Sequence, residues 1–120
     1  MIAMKRIYEP AAEGDGYRVL AERLWPRGMS KAKARLDAWE KEIAPSNELR
    51  HWYDHDPDKW AEFQTRYEHE LATPAARATL DDLTERARHG PVTLAYASHA
   101  GEISNTAVLL RLIQERLAPA

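Results

Sequence analysis

The sequence predicts a layered α/β domain, and three of its features lead to that prediction. Strand-like segments occur near both ends of the chain, whereas most of the stretch between them has helical periodicity. Residues 92–97 are apolar on both faces apart from Thr93 and the hydroxyl of Tyr96, as in a central strand of a parallel sheet. A final amphipathic segment follows that strand, so the order of elements is typical of helices layered on a sheet.

Length and composition indicate one globular domain. The chain has 120 residues and shows no internal repeat or linker, so we expect a single domain over residues 1–120. Hydrophobic residues make up 44% of the chain and charged residues 30%, a balance typical of globular proteins. No signal-peptide core or membrane-spanning segment is visible in the sequence, so we expect a cytoplasmic protein without membrane contact.

Several site classes have no signature in this sequence. The chain has no cysteine, which excludes disulfides, thiolate nucleophiles and thiolate metal ligands. It contains no P-loop, no dinucleotide glycine fingerprint and no His-Glu-x-x-His motif, so we expect neither a cofactor nor a metal. The formal net charge of −2 gives no general attraction to nucleic acid, and the oligomeric state stays open.

Two strands are predicted in the first part of the chain. Residues 4–9 alternate weakly, and residues 17–24 alternate clearly. The two faces of the second strand carry Tyr17, Val19 and Ala21 on one side and Arg18, Leu20, Glu22 and Leu24 on the other. Because the latter face mixes charges with leucines, we expect it to be only partly covered. Pro26 and Gly28 place the end of this strand near Leu24.

Helices are predicted where capping residues precede amphipathic spacing. Ser30 caps a short helix over 31–35, and Ser46 or Asn47 caps another over 48–53. Two longer helices start at Asp56-Pro57 and Thr73-Pro74, and Gly90 stops the second. The predicted buried face of the first of these comprises Trp60, Phe63, Tyr67 and Leu71, and that of the second comprises Leu80, Leu83 and Ala87. A last helix is predicted from the spacing of Val108, Leu109, Leu112, Ile113 and Leu117.

The segment 36–43 is ambiguous from its residues alone. Leu36, Trp39 and Ile43 have helical spacing, whereas Trp39, Lys41 and Ile43 fit one face of a strand. Periodicity by itself favours a helix here.

The stretch 23–28 is the clearest candidate site. Arg23 and Arg27 each offer a planar guanidinium that binds carboxylate or phosphate through two hydrogen bonds. If the second strand ends near Leu24, both arginines and Trp25 lie at the carboxyl edge of the sheet, where open α/β folds bind ligands. The sequence therefore predicts anion binding. The structural alternative is an arginine paired with an acid inside the fold, with Trp25 capping the core.

Polar residues after the last strand form a second candidate. They are Ser98, His99, Glu102 and Asn105, and they would lie at the same sheet edge if that strand is parallel. His99 is suited to proton transfer near neutral pH, although a solvated loop histidine fits the sequence as well.

Two other chemistries are weighed and set aside. His51 and His55, four residues apart with Asp54 and Asp56 beside them, could bind a metal. Asp56 is better explained as a helix cap, and Pro57 makes it extended, so the helix that carries His51 ends before His55. Ser46 could be a nucleophile, but the Gly-x-Ser-x-Gly motif is absent and capping already explains this serine.

Several motifs together resemble a known family. They are Tyr17-Arg18-Val19-Leu20, Arg23-Leu24-Trp25-Pro26-Arg27-Gly28, Ala44-Pro45-Ser46-x-Glu48-Leu49-Arg50, His55-Asp56-Pro57, Gly90-Pro91-Val92-Thr93-Leu94-x-Tyr96-Ala97 and Asn105-x-Ala107. On these residues, which span nearly the whole chain, the sequence is identified as a member of the YeaO-like branch of the domain-of-unknown-function family 488. The resemblance brings no assigned biochemical activity with it.

The resemblance implies a fold in more detail. Residues 36–43 would be a strand, which reverses the helix that periodicity favours. The whole would be a small α/β domain with a mainly parallel sheet of about four strands and helices on both faces. Four loops would then meet at one edge of the sheet, namely 25–28, 45–46, 98–105 and the loop from Pro10 to Gly16.

The sequence departs from the family pattern at two places. Ala21-Glu22 stands where the family has Val-Asp, which keeps a carboxylate on a longer stem. The loop 98–105 is one residue longer than the family's and lacks its Asp and His, so their acid or base roles do not carry over. More distant branches place a Cys-His pair there, and a chain without cysteine cannot perform thiol chemistry.

The main functional hypothesis is a crevice for a small anionic ligand that bears phosphate or carboxylate. The predicted ligand-binding residues are Arg23, Trp25, Arg27, Trp39, Ser46 and Asn105. Glu22 and His99 are the candidates for proton transfer if catalysis follows binding. The alternative is an accessory or regulatory factor that binds nucleic acid or protein without catalysis, and the net charge of −2 weighs against nucleic acid.

Overall fold

The fold is a four-stranded, all-parallel sheet covered by helices, which confirms the predicted α/β class. A computed structural model describes residues 1–99 and 101–119. The strands are β1 (Ile2–Arg6), β2 (Tyr17–Leu20), β3 (Ala38–Trp39) and β4 (Val92–Tyr96), in the spatial order β1-β4-β2-β3. The helices are α1 (Lys31–Ala34), α2 (Asn47–Tyr53), α3 (Trp60–Glu70), α4 (Pro74–His89) and α5 (Asn105–Leu117).

The strand β4 is central, as its apolar sequence predicts. It pairs in parallel with β1 from Ile2↔Val92 to Arg6↔Tyr96 and with β2 from Tyr17↔Val92 to Leu20↔Ala95. Residues 92–95 are buried because helices cover one face of the sheet and a thinner layer covers the other.

Side-chain caps begin the helices at the predicted residues. The hydroxyls of Ser30, Ser46 and Thr73 accept hydrogen bonds from the backbone N–H groups three residues further on, at 3.1, 3.1 and 3.2 Å. The Asp56 carboxylate accepts one from the N–H of Asp58 at 3.0 Å, which starts a 3-10 turn over 57–59 that runs into α3. These caps confirm the predicted helix starts.

The segment 36–43 is a strand followed by a tight turn, so the helix favoured by periodicity is wrong and the strand implied by the resemblance is confirmed. Asp37 and Glu40 lie on either side of the two residues of β3. Their N–H groups donate to carbonyls of β2, those of Arg18 and Leu20, both at 2.8 Å. A 3-10 turn over Lys41–Ile43 follows. A parallel partner strand satisfies this backbone, and periodicity within the segment carries no information about that partner.

The first two strands are displaced or shortened relative to the prediction. β1 covers Ile2–Arg6 instead of 4–9, since its register is set by pairing with β4. β2 stops at Leu20 instead of near Leu24, because side chains take over the hydrogen bonds of the next residues. The carbonyl of Ala21 accepts from Asn105 Nδ2 at 2.9 Å, and that of Glu22 accepts from Trp39 Nε1 at 2.5 Å.

The two faces of the sheet are covered unequally. The main core lies on the face with Val19, Val92 and Leu94, against side chains of α2 to α5. The other face has a small cluster of Ile7, Leu20, Ala34 and Ala95, with Ala34 contributed by α1. On that face the buried guanidinium of Arg18 donates twice to the carbonyl of Ala34, at 3.1 and 2.8 Å, and once to Asp15 at 2.7 Å. The expectation of a partly covered second face is confirmed.

None of the helices within residues 1–99 and 101–119 combines the length and the apolar character that crossing a membrane requires.

Candidate functional site

A crevice of about 790 Å³ lies at the carboxyl edge of the sheet. Segments that follow β2 and β4 form part of its wall, and α2 with the two residues after it forms another part. The lining residues are Glu22, Arg23, Leu24, Arg27, Pro45, Arg50, His51, Tyr53, Asp54, His55, Phe63, Ala97, Ser98 and Asn105. The crevice therefore has the location at which parallel α/β sheets bind ligands.

Four of the eight residues predicted for ligand binding or proton transfer meet in this crevice, namely Glu22, Arg23, Arg27 and Asn105. The lining set does not include Trp25, Trp39, Ser46 or His99. Three of the four loops expected to converge contribute to the lining, whereas the loop from Pro10 to Gly16 contributes none of the lining residues. The end of α2 takes its place.

The guanidinium of Arg23 holds two loops together. Its Nε donates to the carbonyl of Pro45 at 2.7 Å and its Nη2 donates to the carbonyl of Ala44 at 3.3 Å. Both acceptor residues are buried. Arg23 therefore fixes the position of the loop before α2 as one wall of the crevice, and it does so through carbonyls instead of a carboxylate.

The same loop is anchored from α3 at its two ends. The Tyr67 hydroxyl donates to the carbonyl of Ile43, and the Glu70 carboxylate accepts from the N–H of Ser46 at 2.8 Å and from its hydroxyl at 2.6 Å. The Ser46 hydroxyl also accepts from the N–H of Leu49 at 3.1 Å, which confirms its role as the α2 cap. With these bonds and those of Arg23, residues 43–46 are held at every position.

Arg27 and Arg50 are the lining arginines without partners. Within residues 1–99 and 101–119, neither guanidinium forms a salt bridge or a hydrogen bond. Arg27 is exposed and Arg50 is half-buried. Because guanidinium stays charged at any physiological pH, the two place positive charge on the crevice wall, and that of Arg50 acts on the Glu22 carboxyl.

Arg50 was not singled out in the sequence, although it closes the Ala-Pro-Ser-x-Glu-Leu-Arg motif. That motif was the available signal. Which face of α2 turns toward the sheet edge depends on how α2 packs against α3, where Tyr53 stacks on Phe63 with ring centroids 4.1 Å apart. The direction of Arg50 is therefore a consequence of tertiary packing.

Glu22 is the half-buried acid of the crevice. Its Oε1 accepts from the N–H of Ala97 at 3.2 Å, which links the ends of β2 and β4. Burial raises the pKa of the Glu22 carboxyl above its ordinary value, against the N–H of Ala97 and the positive charge of Arg50, which both lower it. Its ionisation is therefore sensitive to a cationic neighbour.

The two tryptophans predicted to bind the ligand pack on each other instead of lining the crevice. Trp25 and Trp39 meet edge to face with ring centroids 5.4 Å apart. Each indole N–H donates to a backbone carbonyl, that of Trp25 to Met29 at 2.6 Å and that of Trp39 to Glu22 at 2.5 Å. Trp39 is 36% exposed and carries Lys41 over its ring at 4.0 Å. The two indole hydrogen bonds thus hold the residues on either side of the loop 23–28.

The two histidines near the end of α2, His51 and His55, both line the crevice. The helix ends at Tyr53, and Asp54 and His55 both have left-handed backbone conformations, with φ of 46° and 53°. This confirms that the helix carrying His51 stops before His55. In the part of the chain that the structure describes, no group of three or more His, Cys, Asp or Glu residues is placed to hold a metal ion.

Comparison with known proteins identifies relatives over nearly the full length. The uncharacterized protein Rv3073c of Mycobacterium tuberculosis is 43% identical over 115 residues, which are 96% of this chain and 95% of that protein. The uncharacterized protein YeaO of Escherichia coli is 42% identical over 97 residues, 81% of this chain and 83% of that protein. No solved structure shows a significant match to the chain. Since the family profile matches residues 1–120, and the expected resemblance is thereby confirmed, the chain belongs to the DUF488-N3i family, described as the inactive DUF488-N3 subclade.

Proposed function

We propose that the protein binds a small ligand carrying a phosphate or carboxylate in the crevice at the sheet edge, without transforming it. The observation that carries the proposal is the pair Arg27 and Arg50. Both line the crevice, and neither has a salt-bridge partner within residues 1–99 and 101–119. Two unpaired guanidiniums on one concave surface favour an anion that accepts from both.

The size and walls of the crevice suit a small molecule. Its volume of about 790 Å³ lies in the range of small-ligand sites, about 300 to 1,000 Å³. Leu24, Pro45 and Phe63 supply apolar lining in addition to the charged groups. Because Arg23 and Glu70 clamp the loop before α2, this wall is formed before a ligand arrives. Preorganisation of this kind lowers the entropic cost of binding.

Binding without turnover is favoured over catalysis for two reasons. The family is described as an inactive subclade. The two candidates for proton transfer do not both line the crevice, since Glu22 is among the lining residues and the exposed His99 is not. A nucleic-acid ligand is disfavoured because the formal net charge of the chain is −2.

The test is a titration of the ¹⁵N-labelled protein with inorganic phosphate, pyrophosphate and citrate at low salt, followed by amide chemical shifts. We expect at least one anion to cause saturable shifts in segments 22–27, 45–51 and 97–98. The double substitution Arg27→Ala/Arg50→Ala should weaken that binding at least about ten-fold, since each charge-assisted hydrogen bond contributes about 1.5 kcal/mol or more.

The matched control is Arg77→Ala, which removes an exposed arginine of α4 outside the crevice. This variant should bind as the wild type does. Equal weakening by Arg77→Ala would indicate a general charge effect, and an absence of saturable shifts with all three anions would overturn the proposal.

A further inference from the structure

The crevice carries a negative group as well as positive ones. Glu22 accepts the N–H of Ala97 through Oε1 at 3.2 Å, whereas its Oε2 has no hydrogen-bond partner within residues 1–99 and 101–119. None of the arginines that line the crevice forms a salt bridge with it, again among those residues. Glu22 therefore keeps one carboxylate oxygen for a donor that the described chain does not supply.

Glu22 and the two arginines without salt bridges come from different segments of the chain. Glu22 follows β2 at the sheet edge and is half-buried beside the end of β4, whereas Arg27 is exposed in the loop beyond. Arg50 reaches the crevice from another element, α2. The negative group thus lies on the sheet side of the crevice, and positive charge enters from the loop and the helix.

A half-buried carboxylate without a salt-bridge partner is electrostatically costly, and the positive charge of Arg50 offsets only part of this cost for Glu22. Loss of water disfavours its charged form, which is why burial raises the pKa of Glu22. A ligand that brings a protonated nitrogen to Oε2 would remove this cost and form a charge-assisted hydrogen bond. An anion alone would leave the cost in place and add like charge to the same crevice.

We propose that the crevice is specific for a dipolar ligand, a small molecule that carries a phosphate or carboxylate together with a protonated amine or amidine. The cationic nitrogen donates to Glu22, and the anionic group accepts from Arg27 and Arg50. This inference rests on the proposed function for the anionic end of the ligand. The cationic end rests separately on Glu22.

The crevice also has apolar lining residues, which favour a ligand with an apolar middle. Leu24 lines the crevice and is 64% exposed, although it is a large aliphatic side chain. Pro45 and Phe63 line the same space. A methylene chain or ring joining the two charged groups would cover the exposed side chain of Leu24 and exclude water from it.

The experiment compares two matched series of compounds by calorimetric titration at about pH 8. One series is the ω-aminoalkyl phosphates from aminoethyl to aminohexyl phosphate, and the other is the alkyl phosphates of the same lengths. We expect the wild type to bind at least one aminoalkyl phosphate about ten-fold or more tightly than the alkyl phosphate of equal length. This is the preference expected of one charge-assisted hydrogen bond in a partly buried site.

Two variants locate the preference. Glu22→Gln keeps an oxygen for the N–H of Ala97 but removes the charge, and it should bind both series with the affinity that the wild type shows for alkyl phosphates. Asp54→Asn removes the other acid that lines the crevice and should keep the wild-type preference. A preference that survives Glu22→Gln would overturn the assignment to Glu22, whether or not Asp54→Asn removes it.

The wild-type comparison alone separates this inference from the proposed function. Equal affinity for the two series at every length would overturn the dipolar ligand and leave anion binding in place. Absence of binding by both series would overturn the proposed function and this inference together. The comparison needs no variant, so it stands even if Glu22→Gln does not fold.

Discussion

Arg23 donates from Nε to the carbonyl oxygen of Pro45 at 2.7 Å, and this bond joins the loop after β2 to the loop before α2. A second bond from the same guanidinium reaches the carbonyl of Ala44. Arg23 is therefore a structural support of the crevice, and Arg27 is the arginine of the motif that stays unpaired within residues 1–99 and 101–119. Two arginines four residues apart thus have different roles.

This difference predicts unequal effects of alanine substitution on stability. Arg23→Ala should lower the free energy of unfolding by about 2 to 4 kcal/mol, because it removes two charge-assisted hydrogen bonds and leaves two carbonyls unsatisfied. Arg27→Ala should change it by less than about 0.5 kcal/mol, as is usual for an exposed side chain without partners. Urea unfolding measures both. Equal losses in the two variants would contradict the structural role of Arg23.

Gly16 is predicted to be intolerant of a side chain. Its φ of +64° is unfavourable for other residues, and a β-carbon there would overlap the carbonyl oxygen of Pro91. That oxygen accepts the N–H of Tyr17 at 3.0 Å at the start of β2. Gly16→Ala should therefore cost about 3 kcal/mol or more, since strain and a backbone shift add together.

The control for Gly16 lies two residues earlier. A β-carbon at Gly14 would meet no atom within 4 Å, so Gly14→Ala should leave the free energy of unfolding within about 1 kcal/mol of the wild type. Thermal and urea unfolding of the two variants test the pair. A Gly16→Ala protein as stable as Gly14→Ala would show that the start of β2 can move away from Pro91.

Glu40 should make stability depend on pH. A hydrogen bond with the carboxyl of Glu42, burial, and the negative charges of Glu42 and Asp82 raise the pKa of Glu40 to about 7, and Arg86 opposes the rise. The ordinary pKa is 4.5, so the folded protein binds more protons than the unfolded chain between those values. Protonated Glu40 therefore stabilises the folded state, fully below about pH 4.5, and this stabilisation is lost as the pH rises through about 7.

The measurement is the melting temperature from about pH 5 to 8 for the wild type and for Glu40→Gln. The melting temperature of the variant should rise relative to that of the wild type as the pH rises, because glutamine cannot become negatively charged next to Glu42 and Asp82. Glu9→Gln, at an exposed glutamate outside this cluster, should show no such trend. A constant difference between Glu40→Gln and the wild type over this range would contradict the raised pKa.

Local sequence signals predicted the helices well. Thr73-Pro74 and Asp56-Pro57 begin their helical segments as expected, because a cap and a proline act within one turn of the chain. The segment 36–43 shows the limit of this reasoning. Its strand exists through hydrogen bonds to β2, which are contacts with residues about twenty positions away in the chain.

The candidate site was predictable from the sequence only where its residues follow a recognisable strand. Glu22, Arg23 and Arg27 follow a recognisable strand, and Asn105 follows the loop after another, so a parallel sheet brings them to one edge. Arg50 and the two residues after α2 reach the crevice because α2 packs on α3. No pattern within α2 specifies that direction.

The sequence by itself determined the α/β class, the capped helices, the central strand and the membership of the family, since these depend on local chemistry and on motifs. Only the tertiary structure decided how the two motif arginines divide their roles. The buried carbonyls of Ala44 and Pro45 accept hydrogen bonds from Arg23, whereas no group in residues 1–99 and 101–119 pairs with the guanidinium of Arg27. The physical reason is that hydrogen bonding of a guanidinium depends on which acceptors packing brings within reach.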